Sequence, residues 1–204
     1  MATIVLIGAS GTIGQAVADR LAQQYNVIRV SHARGEHTVD LGDKQSIETL
    51  FSRIDTYDAV VCAAGQSRFA ALAQAGDDDF AISIAHKLMG QVNVARIALG
   101  RLPAGGSITL TTGLLARAPM PGTVPTAMVN AALEGFVRAA ALDMTDNRRI
   151  NAVSPIFVTA TAERMGMPAA GTMSAGQTAK AYEAAVAGKM NGEVLDVRDY
   201  GSVV

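Results

Sequence analysis

A turn of seven residues near the start of the chain constrains the fold more than any other segment. An apolar run over Ile4–Ile7 leads directly into the turn 8–14, which reads GASGTIG, and a helix-forming stretch follows it. Because the glycine positions carry no side chains, backbone N–H groups and the positive end of the helix can approach an anion directly. The segment therefore predicts a phosphate-binding turn, and we expect its ligand to be NAD or NADP. The residues expected to contact this ligand are Gly8, Ser10, Gly11, Thr12, Ile13 and Gly14.

The glycine spacing in this turn is G-x-x-G-x-x-G, whereas the usual dinucleotide fingerprint is G-x-G-x-x-G. An ordinary tight turn between a strand and a helix is therefore the alternative interpretation. A dinucleotide site requires a strand, a turn and a helix in that order, and the order found here favours the dinucleotide site.

Strand-like and helix-like segments alternate along the chain, which is the pattern of βαβ units. Right-handed crossovers between parallel strands place helices on both faces of one sheet, and 204 residues suit one such domain. We therefore predict a single Rossmann-fold domain over residues 1–204, of the α/β class, with a doubly wound parallel sheet of about seven strands. The predicted strands are Ile4–Ile7, Val27–Val30, Thr38–Leu41, Ala59–Ala63, Ser107–Thr112, Ile150–Val153 and Glu193–Val197, and the predicted helices are Thr12–Gln24, Lys44–Arg53, Asp77–Arg101, Val124–Met144 and Gln177–Gly188.

The composition supports this architecture and excludes some partners. Half of the residues are hydrophobic but only 4% are aromatic, which suits buried parallel strands covered by alanine-rich helices. The net charge is −1, and no run of Lys or Arg alternates with aromatics, so we predict no nucleic-acid partner. We see no signal peptide and no uncharged stretch long enough to span a bilayer, so we expect a cytoplasmic protein without a membrane partner.

We predict no metal site. The single cysteine, Cys62, lies in an apolar run and is expected to be a buried strand residue. His32, His37 and His86 do not have the spacing of metal ligands. Three consecutive carboxylates at 77–79 stand at the start of a predicted helix, where they are expected to cap free N–H groups.

At five segments the sequence resembles the short-chain dehydrogenase/reductase family, and the resemblance extends over nearly the whole chain. Besides the opening turn, these segments are Asp40–Leu41, Cys62–Gly65 in the place of the family's Asn-Asn-Ala-Gly, Asn130–Phe136 and Arg149–Thr159. The resemblance implies an oxidoreductase that uses a nicotinamide dinucleotide. It also implies further coenzyme contacts, namely Asp40 and Leu41 at the adenine, Ala63, Ala64 and Gly65 beneath the adenine ribose, and Pro155, Val158 and Thr159 at the nicotinamide carboxamide.

The residues that end the second predicted strand indicate which coenzyme is bound. An acidic side chain at this place pairs with the ribose 2′-hydroxyl of NAD and repels the 2′-phosphate of NADP. The chain instead has Ser31, His32 and Arg34, and an arginine can bind a phosphate through two hydrogen bonds. We therefore predict NADP(H), with these three residues as contacts; the alternative interpretation of Arg34 is a solvated loop residue.

The residues that donate a proton in this family are missing from the chain. The family uses a tyrosine whose pKa is lowered by a lysine four residues later, and the corresponding positions hold Thr126 and Asn130. The serine that orients the substrate oxygen corresponds to Gly113, beside the hydroxyl of Thr112. An asparagine of the preceding long helix corresponds to Lys87. The resemblance thus implies that a lysine and an asparagine have exchanged places between two helices.

Lys87 is the candidate for the missing acid. A lysine that projects toward the nicotinamide ribose can donate a proton if burial lowers its pKa, whereas a solvated surface lysine is the alternative. The candidate catalytic residues are therefore Lys87, Thr112, Thr126 and Asn130.

Two functions are compatible with these residues. The first is an NADP(H)-dependent oxidoreductase that transfers hydride to or from a small carbonyl or alcohol substrate with a non-standard proton donor. The second is a catalytically inactive protein that binds the dinucleotide as a sensor or regulator. In both cases the resemblance implies a homodimer through the helices Asp77–Arg101 and Val124–Met144; packing of these helices within one chain is the alternative.

Overall fold

Seven parallel strands form a single sheet in the computed structural model, which describes residues 1–204. Their order across the sheet is β3-β2-β1-β4-β5-β6-β7. The order reverses at the neighbours β1 and β4, and in doubly wound sheets a ligand crevice opens at the carboxyl ends of such a pair. The strands are β1 (Thr3–Ile7), β2 (Asn26–Ser31), β3 (His37–Thr38), β4 (Ala59–Cys62), β5 (Ser107–Thr111), β6 (Arg149–Ser154) and β7 (Val194–Asp196).

Helices connect these strands and cover the sheet. The third predicted helix is continuous from Asp77 to Leu99 but contains a π-helical turn over Ile84–Met89. A π-helical turn accommodates an extra residue and is found frequently at functional sites. The α-helices are α1 (Thr12–Leu21), α2 (Lys44–Arg53), α3 (Asp77–Ser83), α4 (Gly90–Leu99), α5 (Val124–Ala140), α6 (Thr159–Arg164) and α7 (Ala175–Ala187).

Side chains alternate along β1 and divide the core into two layers. Ile4 and Leu6 pack among residues of α1 and α7, whereas Val5 and Ile7 pack among residues of α2, α4 and α5. Successive side chains of a strand point to opposite faces of the sheet, so a strand covered on both faces needs a continuous apolar run. The predicted doubly wound parallel sheet of the α/β class is therefore confirmed.

The third strand is shorter than the prediction Thr38–Leu41. Its backbone leaves the sheet after Thr38 because Asp40 forms local hydrogen bonds: its carboxylate accepts from the Gly42 N–H at 2.8 Å, and its own N–H donates to the Ser46 hydroxyl at 2.9 Å. Such side-chain bonds compete with the hydrogen bonds of a strand. Asp40 and Leu41 consequently lie beyond the strand, at the carboxyl edge of the sheet.

Other boundaries also differ from the predictions. The segment after Thr159 contains the six-residue helix α6, which is too short to show a clear apolar period. Helix α7 begins two residues earlier than predicted because the Ser174 hydroxyl accepts from the Gln177 N–H at 3.2 Å. At the start of α3, the Asp79 carboxylate accepts from the Gly76 N–H at 3.0 Å, which confirms the predicted capping role for Asp79.

Two further observations concern the chain as a whole. Cys62 is fully buried in β4, as expected from the sequence. None of the helices combines the length and the apolar character that crossing a bilayer requires.

Candidate active site

A cleft of about 360 Å³ opens at the carboxyl ends of β1 and β4. It collects residues from the opening turn, from the end of β2, from the segment after β3 and from the end of β4. Most of the predicted coenzyme contacts therefore lie in one place, together with Gln66 and His86, which sequence reasoning missed. The lining residues are Ile7, Gly8, Ser10, Gly11, Ser31, His32, Val39, Asp40, Leu41, Ala63, Ala64, Gly65, Gln66 and His86.

Glycines bring the walls of this cleft together. Gly8 has φ +90°, and a Cβ there would lie 2.8 Å from the Ala64 Cβ. A Cβ on Gly14 would lie 1.9 Å from the Gly8 carbonyl oxygen. Helix α1 can therefore start close beneath the end of β1 only because both positions lack a side chain.

The N-terminus of α1 fits a pyrophosphate. Gly11 is its N-cap, no side chain caps its free N–H groups, and its first turn carries no acidic residue. By contrast, Asp43 caps α2 and Ser174 caps α7. Uncapped N–H groups at the positive end of a helix form an anion site, so the donor set at this turn suits the diphosphate of a dinucleotide.

The far end of the cleft, where an adenine would lie, contains a carboxylate and an imidazole. The Asp40 carboxylate is about half exposed, and its Oδ1 lies 3.6 Å from Nδ1 of His86. The His86 ring fills the space that a Cβ on Gly42 would occupy, at 2.3 Å. Asp40 can therefore accept a hydrogen bond from an amino group in the cleft while His86 forms part of the wall.

Arg34 lies in an adjoining concavity that it shares with Ser10 and Ser31. Glu36 lies in the same concavity. Another arginine of this concavity, Arg29, is paired with the Asp19 carboxylate at 2.8 Å, whereas Arg34 forms no ion pair. Its guanidinium is therefore available to an anion next to the two serine hydroxyls.

Lys87 lies inside the molecule, in the π-helical turn. It is 8% exposed, and its Nζ donates to the Thr112 carbonyl oxygen at 3.5 Å. Burial lowers the pKa of Lys87 to about 8, and the nearby Cys62 opposes this effect. A solvated surface lysine is excluded by this burial.

Gly65 makes room for the Lys87 side chain. A Cβ at position 65 would lie 2.7 Å from the Lys87 Cδ, and Gly65 has φ +146°, which side-chain-bearing residues rarely adopt. The backbone beneath the proposed ribose site and the stem of Lys87 are therefore in direct contact.

Gln91, one helical turn after Lys87, attaches this helix to β5. Its Nε2 donates to the Thr111 carbonyl at 2.8 Å, and its Oε1 accepts from the Thr111 N–H at 2.7 Å. Residues four apart lie on the same helix face, so these two bonds fix the face that carries Lys87. Sequence reasoning missed Gln91, although its spacing from Lys87 was a usable signal.

Tyr182, on α7, is completely buried beside this group. Its hydroxyl lies 2.8 Å from the Thr111 Oγ1, which donates to the Cys62 carbonyl at 2.6 Å. Burial raises the pKa of Tyr182 far above the usual tyrosine value. The phenol is therefore a structural group of the core and a poor proton donor.

The other candidate catalytic residues meet around Thr112. The Thr112 hydroxyl donates to the Asn130 backbone carbonyl at 3.0 Å, so Lys87 and Asn130 both contact Thr112. The Thr126 hydroxyl is directed elsewhere and donates to the Arg68 carbonyl at 2.8 Å. Thr126 thereby holds the segment that follows Gly65.

The predicted nicotinamide contacts lie after β6. Val158 pairs with Met173, and the Thr159 hydroxyl, at the start of α6, lies 2.9 Å from the Thr172 hydroxyl. The Pro155 carbonyl accepts from the Leu114 N–H at 2.9 Å. Pro155 also borders a second cavity, of about 330 Å³, between the segments that follow β5 and β6.

Comparison with known proteins identifies the family. A family model of short-chain dehydrogenases, described as enoyl-(acyl carrier protein) reductase, matches residues 2–200. The chain belongs to the short-chain dehydrogenase/reductase family. Enzymes of this family are oxidoreductases that bind a nicotinamide dinucleotide, which agrees with the cleft described above.

Solved structures and a curated relative show how far the likeness extends. The protein lin1944 of Listeria innocua is 34% identical, with a TM-score of 0.91 over 97% of this chain and 100% of that one. A small-chain dehydrogenase in complex with NADPH is 28% identical, with a TM-score of 0.85 over 96% of this chain and 95% of that one. A hydroxynaphthalene reductase of Aspergillus fumigatus is 29% identical in an alignment of 160 residues that covers 74% of this chain; the chain spans 58% of that relative's length.

Proposed function

We propose that this protein is an NADP(H)-dependent oxidoreductase that reduces a small carbonyl compound, or oxidises the corresponding alcohol, with Lys87 as the proton donor. The observation that carries the proposal is the buried ammonium of Lys87, which contacts Thr112 at the end of β5 beside the coenzyme cleft. A titratable group that is buried at a cleft with a perturbed pKa is a candidate for acid–base catalysis.

The coenzyme part of the proposal rests on the uncapped N-terminus of α1 and on the available cation. We assign the diphosphate to the turn 8–14, the adenine to Asp40 and Leu41, and a 2′-phosphate to Arg34 with Ser10 and Ser31. The family member solved in complex with NADPH supports this choice of dinucleotide. The nicotinamide is assigned to Pro155, Val158 and Thr159.

In the proposed reaction, the hydride for the carbonyl carbon would come from NADPH held by the residues assigned above. The Lys87 ammonium holds a proton at Nζ and transfers it to the carbonyl oxygen, which becomes a hydroxyl. The resulting neutral amine regains a proton from solvent. Because burial lowers the pKa of Lys87 to about 8, the proton is released more readily near neutral pH than from an exposed lysine.

The remaining candidates assist this group. Thr112 fixes Lys87 through its carbonyl and Asn130 through its hydroxyl. Thr126 holds the Gly65–Arg68 segment through the Arg68 carbonyl. The matching family and the curated relative are named for an enoyl-(acyl carrier protein) and a hydroxynaphthalene; the second is uncharged and suits the apolar cavity next to the site.

We also propose a homodimer through α3–α4 and α5. Helix α5 exposes a stripe of small and apolar side chains, and Ile84 and Met89 are exposed on the neighbouring helix. Small residues allow two helices to approach closely, and a contiguous apolar surface is a feature of interaction sites. The exposed stripe of α5 consists of Met128, Ala131, Ala132, Gly135 and Ala139.

Steady-state kinetics of Lys87→Met test the proposed reaction. With NADPH and a panel of small aldehydes and ketones, we expect kcat to fall by about 10²- to 10⁴-fold, since general acid catalysis contributes that much. Lys180→Met, on α7, is the matched control and should keep full activity.

Carbonyl reduction by the unaltered protein should decline as the pH rises through about 8, and alcohol oxidation should increase.

Two results would contradict the proposal. One is full activity of Lys87→Met. The other is NADPH binding without turnover of any compound in the panel, which would instead indicate the non-catalytic binding protein.

A further inference from the structure

The cavity beyond the coenzyme cleft contains no charged side chain. Its walls come from the segments after β5 and β6, and its volume of about 330 Å³ lies at the small end of the range for ligand pockets. Only two of its side chains carry a polar nitrogen or oxygen, namely Asn130 and Thr172. The lining residues are Gly113, Leu114, Leu115, Ala118, Met120, Asn130, Pro155, Ile156, Phe157, Met167, Pro168, Ala170, Gly171 and Thr172.

Gly113 leaves space that the Asn130 amide fills. A Cβ at position 113 would lie 2.9 Å from the Asn130 Nδ2. Gly113 has φ 172° and ψ 156°, an extended conformation that any residue can adopt. The backbone therefore does not require glycine here, and the Asn130 amide is the closest group that a side chain would meet.

The Asn130 amide is the one polar side chain of this cavity that the protein leaves unsatisfied. Its Oδ1 is buried without a hydrogen-bond partner, and no protein group accepts from its Nδ2. The Thr172 hydroxyl, by contrast, donates to the Ala169 carbonyl. Polar groups without partners cost stability, and an oxygen of a ligand in the cavity can accept from the free Nδ2 N–H groups.

The wall next to this amide is held in place. Arg117, between the lining residues Leu115 and Ala118, lies 3.4 Å from the Glu134 carboxylate and 3.8 Å from the Asp196 carboxylate. Glu134 is one helical turn after Asn130 on α5, so the same helix carries the amide and anchors the wall. These contacts indicate a cavity that is formed before a ligand arrives.

We propose that this cavity binds an uncharged, mostly apolar compound and holds the oxygen of that compound with the Asn130 amide, which takes the place of a polar side chain at position 113. The proposal rests on the proposed function in one respect: the compound held there is the carbonyl substrate, or the alcohol product, of that reaction. Thr112 links the helices that carry the two groups, because its carbonyl accepts from Lys87 Nζ and its hydroxyl donates to the Asn130 backbone carbonyl. Carboxylates and phosphates are excluded because the cavity offers them no cation.

Binding measurements that involve no turnover test this proposal. Acetophenone is the uncharged probe, and benzoylformate, which has a carboxylate in place of the methyl group, is the anionic probe. Dissociation constants are measured by calorimetry on the free protein and at saturating NADP⁺, which cannot reduce either ketone. We expect acetophenone to bind at least about tenfold more tightly than benzoylformate, because the anion would lose its hydration without gaining a partner. Equal or tighter binding of benzoylformate would overturn the proposal.

Substitutions at 130 and 113 test the role of the amide. Asn130→Ala should weaken acetophenone binding by roughly 3- to 12-fold, the range that one hydrogen bond contributes. In that background Gly113→Ser has room for its side chain and should restore the affinity to within about twofold, because a hydroxyl again donates at the same place. Asn93→Ala, which removes another buried asparagine that does not line the cavity, is the control and should bind as the unaltered protein does.

The outcomes separate this proposal from the proposed function. If Asn130→Ala binds acetophenone normally, or if Gly113→Ser fails to rescue a folded double variant, the amide does not hold the ligand. If the protein binds no pyridine nucleotide, the proposed function fails, but the same series on the free protein still decides the role of Asn130. The comparison of the two probes needs no substitution, so a variant that does not fold cannot prevent the test.

Discussion

At the carboxyl edge of the sheet, the coenzyme cleft and the neighbouring cavity are built from different groups. The cleft relies on the main chain: glycines at 8, 11 and 14 bring it close and leave the N–H groups of α1 free. The cavity relies on side chains, with the Asn130 amide as its free polar group and an apolar wall around it, and the buried Lys87 lies nearby against Gly65 and Thr112. A substitution that adds one carbon atom can block a site formed by the main chain. A site formed by side chains can change its residues while the protein keeps its fold.

Gly14→Ala tests the coenzyme cleft, which is built from main chain, and should have the largest effect. The new Cβ would lie 1.9 Å from the Gly8 carbonyl oxygen, so α1 has to move away from β1. We expect the free energy of unfolding to fall by about 3 kcal/mol and NADPH binding to be lost, as measured by chemical denaturation and calorimetry. Gly176→Ala, where a Cβ meets no atom within 4 Å, is the control and should leave both unchanged or slightly raise stability. Normal NADPH affinity in Gly14→Ala would show that the turn 8–14 does not bind the diphosphate of the coenzyme.

Lys87→Met tests the buried side chains next to the cavity, through the free energy of unfolding. Burial lowers the pKa of Lys87 from its usual value near 10.5 to about 8, so below pH 8 the folded protein carries the full cost of a buried ammonium. Between pH 8 and 10.5 the folded state releases this proton before the unfolded state does, and stability should rise with pH. At pH 7, Lys87→Met should therefore raise the free energy of unfolding by on the order of 3 kcal/mol.

The measurement is urea unfolding of both proteins at pH 7 and at pH 10. The advantage of Lys87→Met should shrink at the higher pH, because the lysine of the unaltered protein is then neutral when folded. A variant that is less stable than the unaltered protein at pH 7 would show that the ammonium is satisfied in the folded state.

Arg34→Glu tests the assignment of a charged side chain to the coenzyme, at its 2′-phosphate. We expect NADPH to bind about 10- to 100-fold more weakly, because the substitution removes an ion pair with the 2′-phosphate and adds a like charge. NADH binding should change less than about threefold, since its ribose carries no phosphate. Calorimetry with both coenzymes measures the difference; equal losses for the two would contradict the assignment of Arg34.

Thr126→Val tests the segment that follows Gly65, between the coenzyme cleft and the cavity, and should have the smallest effect. The Thr126 hydroxyl donates to the Arg68 carbonyl at 2.8 Å and so holds the segment that leads away from Gly65. Loss of one such bond should lower stability by about 1 kcal/mol and raise the KM for NADPH a few-fold, with kcat nearly unchanged. A fall in kcat as large as that of Lys87→Met would instead place Thr126 in the proton transfer.

The main-chain half could be predicted from the sequence because its determinants are local. The turn 8–14 and the apolar run before it specify strand, turn and helix within about a dozen residues, and the alternation of segments specifies the sheet. Asp40 could be assigned to the adenine end, but the local hydrogen bonds that remove it from the third strand were not foreseen. Such bonds compete with strand pairing, and the sequence pattern alone does not show which of them prevails.

The side-chain half could be predicted only in part, since its contacts join residues that are distant in sequence. Lys87 was singled out from the resemblance, but its burial depends on the π-helical turn and on Gln91, which binds Thr111 across 20 residues. The position of the Asn130 amide, where a side chain at position 113 would lie, depends on how α5 packs against the end of β5. Neither follows from periodicity, because an apolar period indicates which face is buried and not which distant group it meets.

The contact between Gly65 and the stem of Lys87 restricts how this protein can change over generations. A residue larger than glycine at 65 would collide with the Lys87 Cδ at 2.7 Å, and it would also need the backbone conformation of φ +146° that side-chain-bearing residues rarely adopt. A shorter side chain at 87 removes the collision but not this backbone strain. Position 65 should consequently stay glycine among descendants of this chain, even in a lineage that has lost the lysine.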